Sequence, residues 1–194
     1  MRTRLLAALA AVAATLSACG INSIPRAEEE VKARWADVEA QYQRRADLIP
    51  NLVRTVQAFG LQERQVLTDV TEARARATSV QVDPSNPQAV QNFAAAQNAL
   101  GQSLGRLLVT VERYPELRSQ ENFMALQSQL EGTENRIAVA RRDYNQAVQA
   151  YNTRIRTFPD LIGARIIYGA DPMTPFEAQE GAEVAPEVNF GSPQ

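Results

Sequence analysis

The chain has no histidine and only one cysteine, Cys19, in 194 residues. Without imidazole there is no proton shuttle or nitrogen metal ligand of the usual kind, which excludes Ser-His-Asp and Cys-His hydrolases and histidine-bound zinc or copper. A single cysteine forbids an intrachain disulfide. Lys32 is the only lysine, and no juxtamembrane polybasic cluster follows the amino terminus. Neither G-x-x-x-x-G-K-[ST] nor G-x-G-x-x-G occurs, so phosphate-cradling loops are absent. The formal net charge is −2, without blocks of like charge, which speaks against nucleic-acid binding. Carboxylate chemistry is the one catalytic class left, and no cofactor or metal site is expected.

What is present begins with a localisation signal. Arg2 and Arg4 precede an apolar run from Leu5 to Leu16, which ends in Leu16-Ser17-Ala18-Cys19. A spanning helix needs about 20 apolar residues, so the run is too short to cross a bilayer and has the layout of a secretory signal. The four closing residues resemble the lipobox of bacterial lipoproteins. That resemblance implies cleavage before Cys19, lipidation of its sulfur and usually acylation (palmitate) of the new amino terminus, so that Cys19 is not a leftover thiol. Residues 1–18 are then a signal peptide and 19–25 a lipidated linker. The anchor lies in the outer membrane or on the outer face of the cytoplasmic membrane, with Gly20 after the cysteine resembling the outer-membrane sorting pattern.

From Val31 onward apolar residues recur at alternating spacings of four and three: Val31, Trp35, Val38, Tyr42, Ile49, Leu52, Val56 and Phe59, then Val66, Val70, Ala73, Ala77 and Val80. This is a heptad seam, with Arg45 and Glu63 as polar interruptions. Pro50 falls inside it, and a proline in a helix interior costs about 3 kcal/mol, so a break or sharp kink is expected near 47–50, with Asp47 capping a new helix. Asp83-Pro84-Ser85-Asn86-Pro87 predicts a loop. A second seam runs Val90, Phe93, Gln97, Leu100, Leu104, Leu107, Val111, Tyr114. A third runs Phe123, Gln127, Leu130, Glu134, Ile137, Arg141, Tyr144, Val148, Tyr151, Ile155, Phe158. Gly101 and Gly105 share one helix face, marking either a close crossing or nothing in particular. The fold class is all-α: an antiparallel bundle of about four long helices over residues 26–168, the first two either separate or one kinked helix. A short helical extension over 161–168 is allowed. Gly and Pro punctuate an irregular tail, 169–194, expected to be flexible apart from docking by Phe176 and Phe190.

Two segments carry charge where heptads ask for apolar residues: Arg44-Arg45-Ala46-Asp47-Leu48-Ile49-Pro50-Asn51-Leu52-Val53 and Glu134-Asn135-Arg136-Ile137-Ala138-Val139-Ala140-Arg141-Arg142-Asp143-Tyr144-Asn145. Both resemble signatures of the LemA family of bacterial envelope proteins, and weaker likeness extends through Glu72-Ala73-Arg74, Glu131 to Glu134, Phe158-Pro159 and Pro186 to Phe190. The resemblance implies a helical bundle held at a membrane, and it implies no reaction. The candidate structural and recognition residues are Arg44, Arg45, Asp47, Pro50, Asn51, Glu134, Asn135, Arg136, Arg141, Tyr144 and Asn145.

Physically, Arg45, Glu134 and Arg141 occupy seam positions. The expectation is a buried network with Glu134 between the two arginines and Asp47, Asp143 and the asparagines completing it, which selects one helix alignment. Tyr144 and Tyr151 are alternatively walls of a groove, with Asn145 and Asn152 beside them as a polar surface. The polar side of 60–80, including Asp69 and Arg74, reads as a solvated face. The expected function is a membrane-tethered, non-catalytic scaffold or interaction module with an unknown envelope partner. The alternatives are a binding module for a small anionic or cell-wall-derived ligand, signalled by unpaired Arg45 or Arg141 in a cleft, and a carboxylate-dependent hydrolase, signalled by two convergent carboxylates.

Overall fold

The heptad seams become helices whose lengths dictate the architecture. A computed structural model of the chain describes residues 22–59 and 63–176. Helix α1 spans Ser23–Ala58, α2 Arg64–Ser79, α3 Pro87–Val111, the single-turn α4 Pro115–Arg118, and α5 Glu121–Arg154. A short α6, Asp160–Gly163, continues into a π-helical turn, Ala164–Tyr168, closed by Gly169 at φ 55°. There is no strand among the described residues. The expected signal peptide, Cys19, Phe190 and the Pro186 to Phe190 likeness lie outside the described residues.

At about 1.5 Å per residue α1 and α5 each exceed 50 Å, whereas α2 and α3 reach only about 24 and 38 Å. The antiparallel α1–α5 pair is therefore a pillar that α2 covers at the end bearing the α1–α2 connection, while the start of α3 reaches down to the level of Trp35. The other end, here called the base, is covered by residues 160–176. Two apolar cores result. The upper one gathers Ile49, Leu52 and Val56 of α1 with Val70 of α2, Leu100 and Leu107 of α3, and Phe123 of α5. The basal one is aromatic: Trp35 lies against Phe93 (centroids 5.4 Å apart), Tyr144 (5.2 Å) and Phe176 (5.4 Å, nearly parallel).

Local signals set the helix ends. The Asn86 side chain accepts from the Gln88 and Ala89 amides at 3.0 and 3.2 Å, capping α3, and Pro87 fills the first-turn position where its missing N–H is harmless. Ser85 donates to Asp83 from backbone and side chain at 2.9 and 2.6 Å, which holds that carboxyl below its usual range. The expected loop at 83–87 is thus present. Gln120 caps α5 in the same way, accepting from the Asn122 and Phe123 amides.

Three boundaries differ from expectation. The first helix does not break at 47–50: α1 runs through Pro50 to Ala58, and the interruption falls between Phe59 and Arg64, next to Gly60, a helix-stop residue the heptad pattern overrode. Asp47 is accordingly no cap; it lies exposed inside α1 and accepts from Gln43 at 2.7 Å. Residues 23–25 belong to α1, not to a linker, and Ile24 is buried. The tail does not begin at 169, because Met173 and Phe176 are core residues.

Candidate functional site

The first family segment places Arg45 on α1 between the basal residue Tyr42 and the upper-core residue Ile49, and the helix register drives its guanidinium into the interface between the two cores. Arg45 is only 4% exposed. Its Nη1 donates to Glu134 Oε1 at 2.7 Å, and its Nη2 donates to the Gln97 carbonyl and to Gln97 Oε1 at 3.1 and 2.8 Å. The guanidinium carbon lies 5.0 Å from the centre of the Tyr42 ring. Gln97 Nε2 in turn donates to the Ala77 carbonyl at 3.2 Å. One run of hydrogen bonds therefore ties α5, α1, α3 and α2 together at a single level. A shift of any helix by one turn would strand a buried donor or acceptor, the way a lone polar layer specifies register in coiled coils.

The expected network is corrected in its composition. Glu134 meets Arg45, but its side chain is 52% exposed, so the pair is buried on one side only. Arg141 lies over the Phe176 ring, 5.0 Å from its centre. Burial pushes the Tyr42 hydroxyl above its ordinary value, while the Arg141 and Arg45 charges pull it back. Gln97, absent from the expected set, is the third member.

The asparagines have a different task. Asn145 Oδ1 accepts from the Phe176 amide at 2.8 Å while its Nδ2 donates to the Phe176 carbonyl at 3.0 Å. Asn152, one heptad later, does the same for Met173, at 2.9 and 2.8 Å. Between them the Tyr144 hydroxyl donates to the Thr174 carbonyl at 3.0 Å. Two primary amides thus imitate a strand edge and pin an extended strap, 170–176, along α5. The geometry closes because three extended residues advance about 10 Å, as does one heptad of helix. Tyr144 and Tyr151 are buried core residues, so they wall no groove. Burial raises the Tyr144 hydroxyl to about 12.

Pro50 has its own partner. Its missing N–H frees the carbonyl of buried Ala46, four residues earlier, and Arg74 Nε of α2 donates to that oxygen at 2.7 Å. Arg74 therefore belongs to the helix interface and not to a solvated face, and Asp69 likewise approaches Arg106 of α3 at 3.9 Å. Of the remaining family positions, Asn51 accepts from Arg54 on the surface of α1, and Arg44, Asn135 and Arg136 are exposed.

A groove of about 870 Å³ runs between α3 and α5, with Arg45 and Gln97 at its floor, Gly101 and Gly105 on one wall, and Glu131 and Glu134 on the other. A Cβ on Gly105 would meet nothing within 4 Å, and one on Gly101 only Arg45 Nη1 at 4.0 Å, so the glycines mark this open trough and not a close crossing. Arg45 already serves Glu134 and Gln97, so the trough does not offer the unpaired guanidinium that an anionic ligand calls for. Among the described residues no three His, Cys, Asp or Glu side chains converge as a metal site, and no helix is long and apolar enough to cross a membrane.

Sequence reasoning missed Gln97, Arg74 and the strap. Gln97 was visible as a polar residue on an apolar seam, Arg74 only as part of the weaker family likeness, and the strap only through the expected docking of Phe176.

The chain is similar to Magnetosome protein MamQ 2 of Paramagnetospirillum magneticum, 25% identical over 157 residues covering 71% of this chain and 58% of that protein. It is similar to Magnetosome protein MamQ of Magnetospirillum gryphiswaldense at 24% over 159 residues, covering 71% and 58%. Protein LemA of Metamycoplasma hominis is 20% identical over 137 residues, covering 71% and 60%. The chain thus spans about three fifths of the length of these relatives. The LemA family model matches residues 34–190, a stretch that holds the Arg45 layer, the Ala46 carbonyl freed by Pro50 and the asparagine-pinned strap, and the chain belongs to the LemA family.

Proposed function

We propose that this protein is a lipid-tethered, non-catalytic interaction module of the bacterial cell envelope. The observation that carries the reading is the use of the family segments: Arg45, Glu134, Asn145, Tyr144 and Pro50 all serve contacts between helices or between α5 and the strap. Residues engaged in fixing an alignment are not poised for turnover. What the family shares, on this reading, is a pillar of defined height and register that presents its outer surfaces and its α3–α5 groove to partners. Attachment through Cys19 fits the lipobox likeness, since two or more acyl chains hold a protein firmly to a bilayer where one does not.

The test is metabolic labelling with an alkyne palmitate in a bacterial host, followed by membrane fractionation. The parent chain is expected to take up label and to stay with membranes in high salt, and Cys19→Ala to take up none and to be released by high salt. Processed but unlabelled parent protein, or equal membrane retention of the unlabelled variant in high salt, would overturn the tether.

A further inference from the structure

The base of the pillar exposes a cluster of large apolar side chains: Phe158 (79% exposed), Ile162 (53%), Ile166 (78%), Ile167 (56%) and Tyr168 (41%). The other four exposed large hydrophobics among the described residues are scattered: Phe59 just past α1, Val109 on α3, and Met124 and Val139 on α5. The local design is two-sided. Gly163 and Ala164 turn inward, Ala164 fully buried and Gly163 beside Ile24, while the isoleucines on either side of them turn outward. This apolar outer face is not left over from packing, because the inner face already anchors the element.

The same element clamps the start of α1. Ser23 Oγ donates to Asp160 Oδ2 at 2.8 Å, and Arg154 Nη1 donates to the Ser23 carbonyl at 3.0 Å. Cys19 precedes Ser23 by four residues, and four residues span at most about 14 Å even when fully extended. An acylated Cys19 therefore cannot lie far from the apolar face. Residues 154–168 also carry Arg154, Arg156 and Arg165 against the single acid Asp160, and Asp160 is engaged by Ser23 and by Arg154 at 3.6 Å. Apolar and aromatic tips flanked in sequence by exposed arginines are the composition of an interfacial surface that seats in anionic headgroups. An exposed apolar patch of this kind calls for an occupant, and the position of the tether names it.

We propose that the Phe158/Ile162/Ile166/Ile167/Tyr168 face is a membrane-contact surface, seated in the bilayer that holds Cys19, so that the pillar stands upright with its groove and upper core projecting away. The proposal rests on the tether reading for its orientation, but the face has its own affinity, which the experiment isolates. Residues 19–194 carrying Cys19→Ser, and so bearing no lipid, are mixed with sedimenting vesicles of phosphatidylglycerol and phosphatidylethanolamine, 3:7, and with pure phosphatidylcholine vesicles. Binding to the anionic vesicles is expected, weaker in 0.5 M salt and on phosphatidylcholine. Ile166→Ser with Ile167→Ser should weaken it about tenfold or more while leaving the thermal melt unchanged, since both side chains are exposed. Arg156→Gln with Arg165→Gln should weaken it on the anionic vesicles alone.

No sedimentation of the unlipidated parent at millimolar lipid, or undiminished binding by the isoleucine variant, would overturn the proposal. So would a dimer of the parent, seen by analytical ultracentrifugation, that the isoleucine variant abolishes, because the face would then cover a second copy. Failure of palmitate labelling with vesicle binding intact would sink the tether and spare the surface.

Discussion

Replacing Arg74 should cost stability only while Pro50 is present. With proline at position 50 the Ala46 carbonyl has no helical donor, and Arg74 Nε supplies one at 2.7 Å. Ala46 is 2% exposed, so water does not easily take the place of a lost guanidinium. Stranding a buried acceptor costs about 1 to 3 kcal/mol, so Arg74→Met, which keeps most of the aliphatic stem, should lose about that much. For a domain of this size the melting temperature should fall by about 2 to 4 °C per kcal/mol. Pro50→Ala restores the N–H and closes the ordinary bond to Ala46. The intrinsic gain of about 3 kcal/mol for removing a mid-helix proline is then offset by the displaced Arg74 and by lost packing of the half-buried ring.

The informative quantity is the coupling. In the Pro50→Ala background Arg74→Met should cost about 0.5 kcal/mol or less, giving a coupling energy of about 1 to 2 kcal/mol in a double-mutant cycle. Urea unfolding of residues 22–194, followed by far-UV circular dichroism at constant m-value, measures all four corners. Equal losses from Arg74→Met in both backgrounds would refute the claim that this proline exists in the helix by virtue of the arginine. An Arg74→Lys variant sharpens the test. Lysine keeps the charge but presents a point donor on a different stem, so full rescue would mean that electrostatics, not a directed bond, holds the carbonyl.

The polar layer predicts an asymmetry: Arg45→Ala, which orphans the buried Gln97 acceptors and leaves a void, should lose about 3 to 5 kcal/mol, whereas Glu134→Ala, whose place water can take, should lose about 1 to 2. Equal losses in urea melts would contradict the one-sided burial. Asn145→Ala with Asn152→Ala should abolish hydrogen-exchange protection of the Phe176 and Met173 amides while α1 and α5 amides stay slow. Gly105→Ala should raise the melting temperature by about 2 to 4 °C, since a Cβ there meets open space and helix-interior glycine costs about 1 kcal/mol; a lower one would mean the groove is narrower than described. The Tyr144 hydroxyl, raised by burial to about 12, favours the fold while neutral. That contribution is complete below the unfolded tyrosine value near 10 and is lost as pH rises through 12. Absorbance titration at 295 nm should show Tyr144 ionising late and together with unfolding, and Tyr144→Phe should flatten this part of the alkaline stability curve.

The long helices were legible because a heptad of apolar residues reports burial whatever it is buried against. Val31, Trp35, Val38 and Tyr42 announce one face of α1 without naming α5 as its partner. Polar residues on a seam were equally legible as anomalies, and Arg45 and Glu134 do meet. Their third partner was misjudged because Gln97 lies on a helix packed alongside, and spacing within one helix says nothing about relative height between two. Pro50 misled for a related reason: the rule that proline interrupts a helix is local, while its remedy, Arg74, lies 24 residues away on another helix. The strap carried no period at all. Apart from Phe176, expected to dock and found buried, its hold depends on Asn145 and Asn152 being one heptad apart on α5, so most of the signal for order in 170–176 lay in the helix.

That arrangement leaves the strap more able to change than the pillar it lies on. The pillar is held by two continuous cores and the layer between them, but the strap is held by four amide–backbone hydrogen bonds, one tyrosine hydroxyl and the anchors Met173 and Phe176. Elements with few buried contacts open at lower free energy than the fold as a whole. Opening here would uncover Trp35, on which Phe176 stacks, and would remove the ring beneath Arg141 at the edge of the α3–α5 groove. The strap also continues directly from Gly169, at the end of the basal apolar face. Seven residues therefore join the surface proposed to meet the membrane to the mouth of the groove. Phe176→Ala isolates this link: it should release the strap and expose Trp35, read as a red-shifted tryptophan emission, at a small cost in the global urea midpoint. A loss of unfolding free energy of about 3 to 5 kcal/mol, the full value typical of a core phenylalanine, with no prior emission shift, would show instead that strap and pillar unfold as one unit.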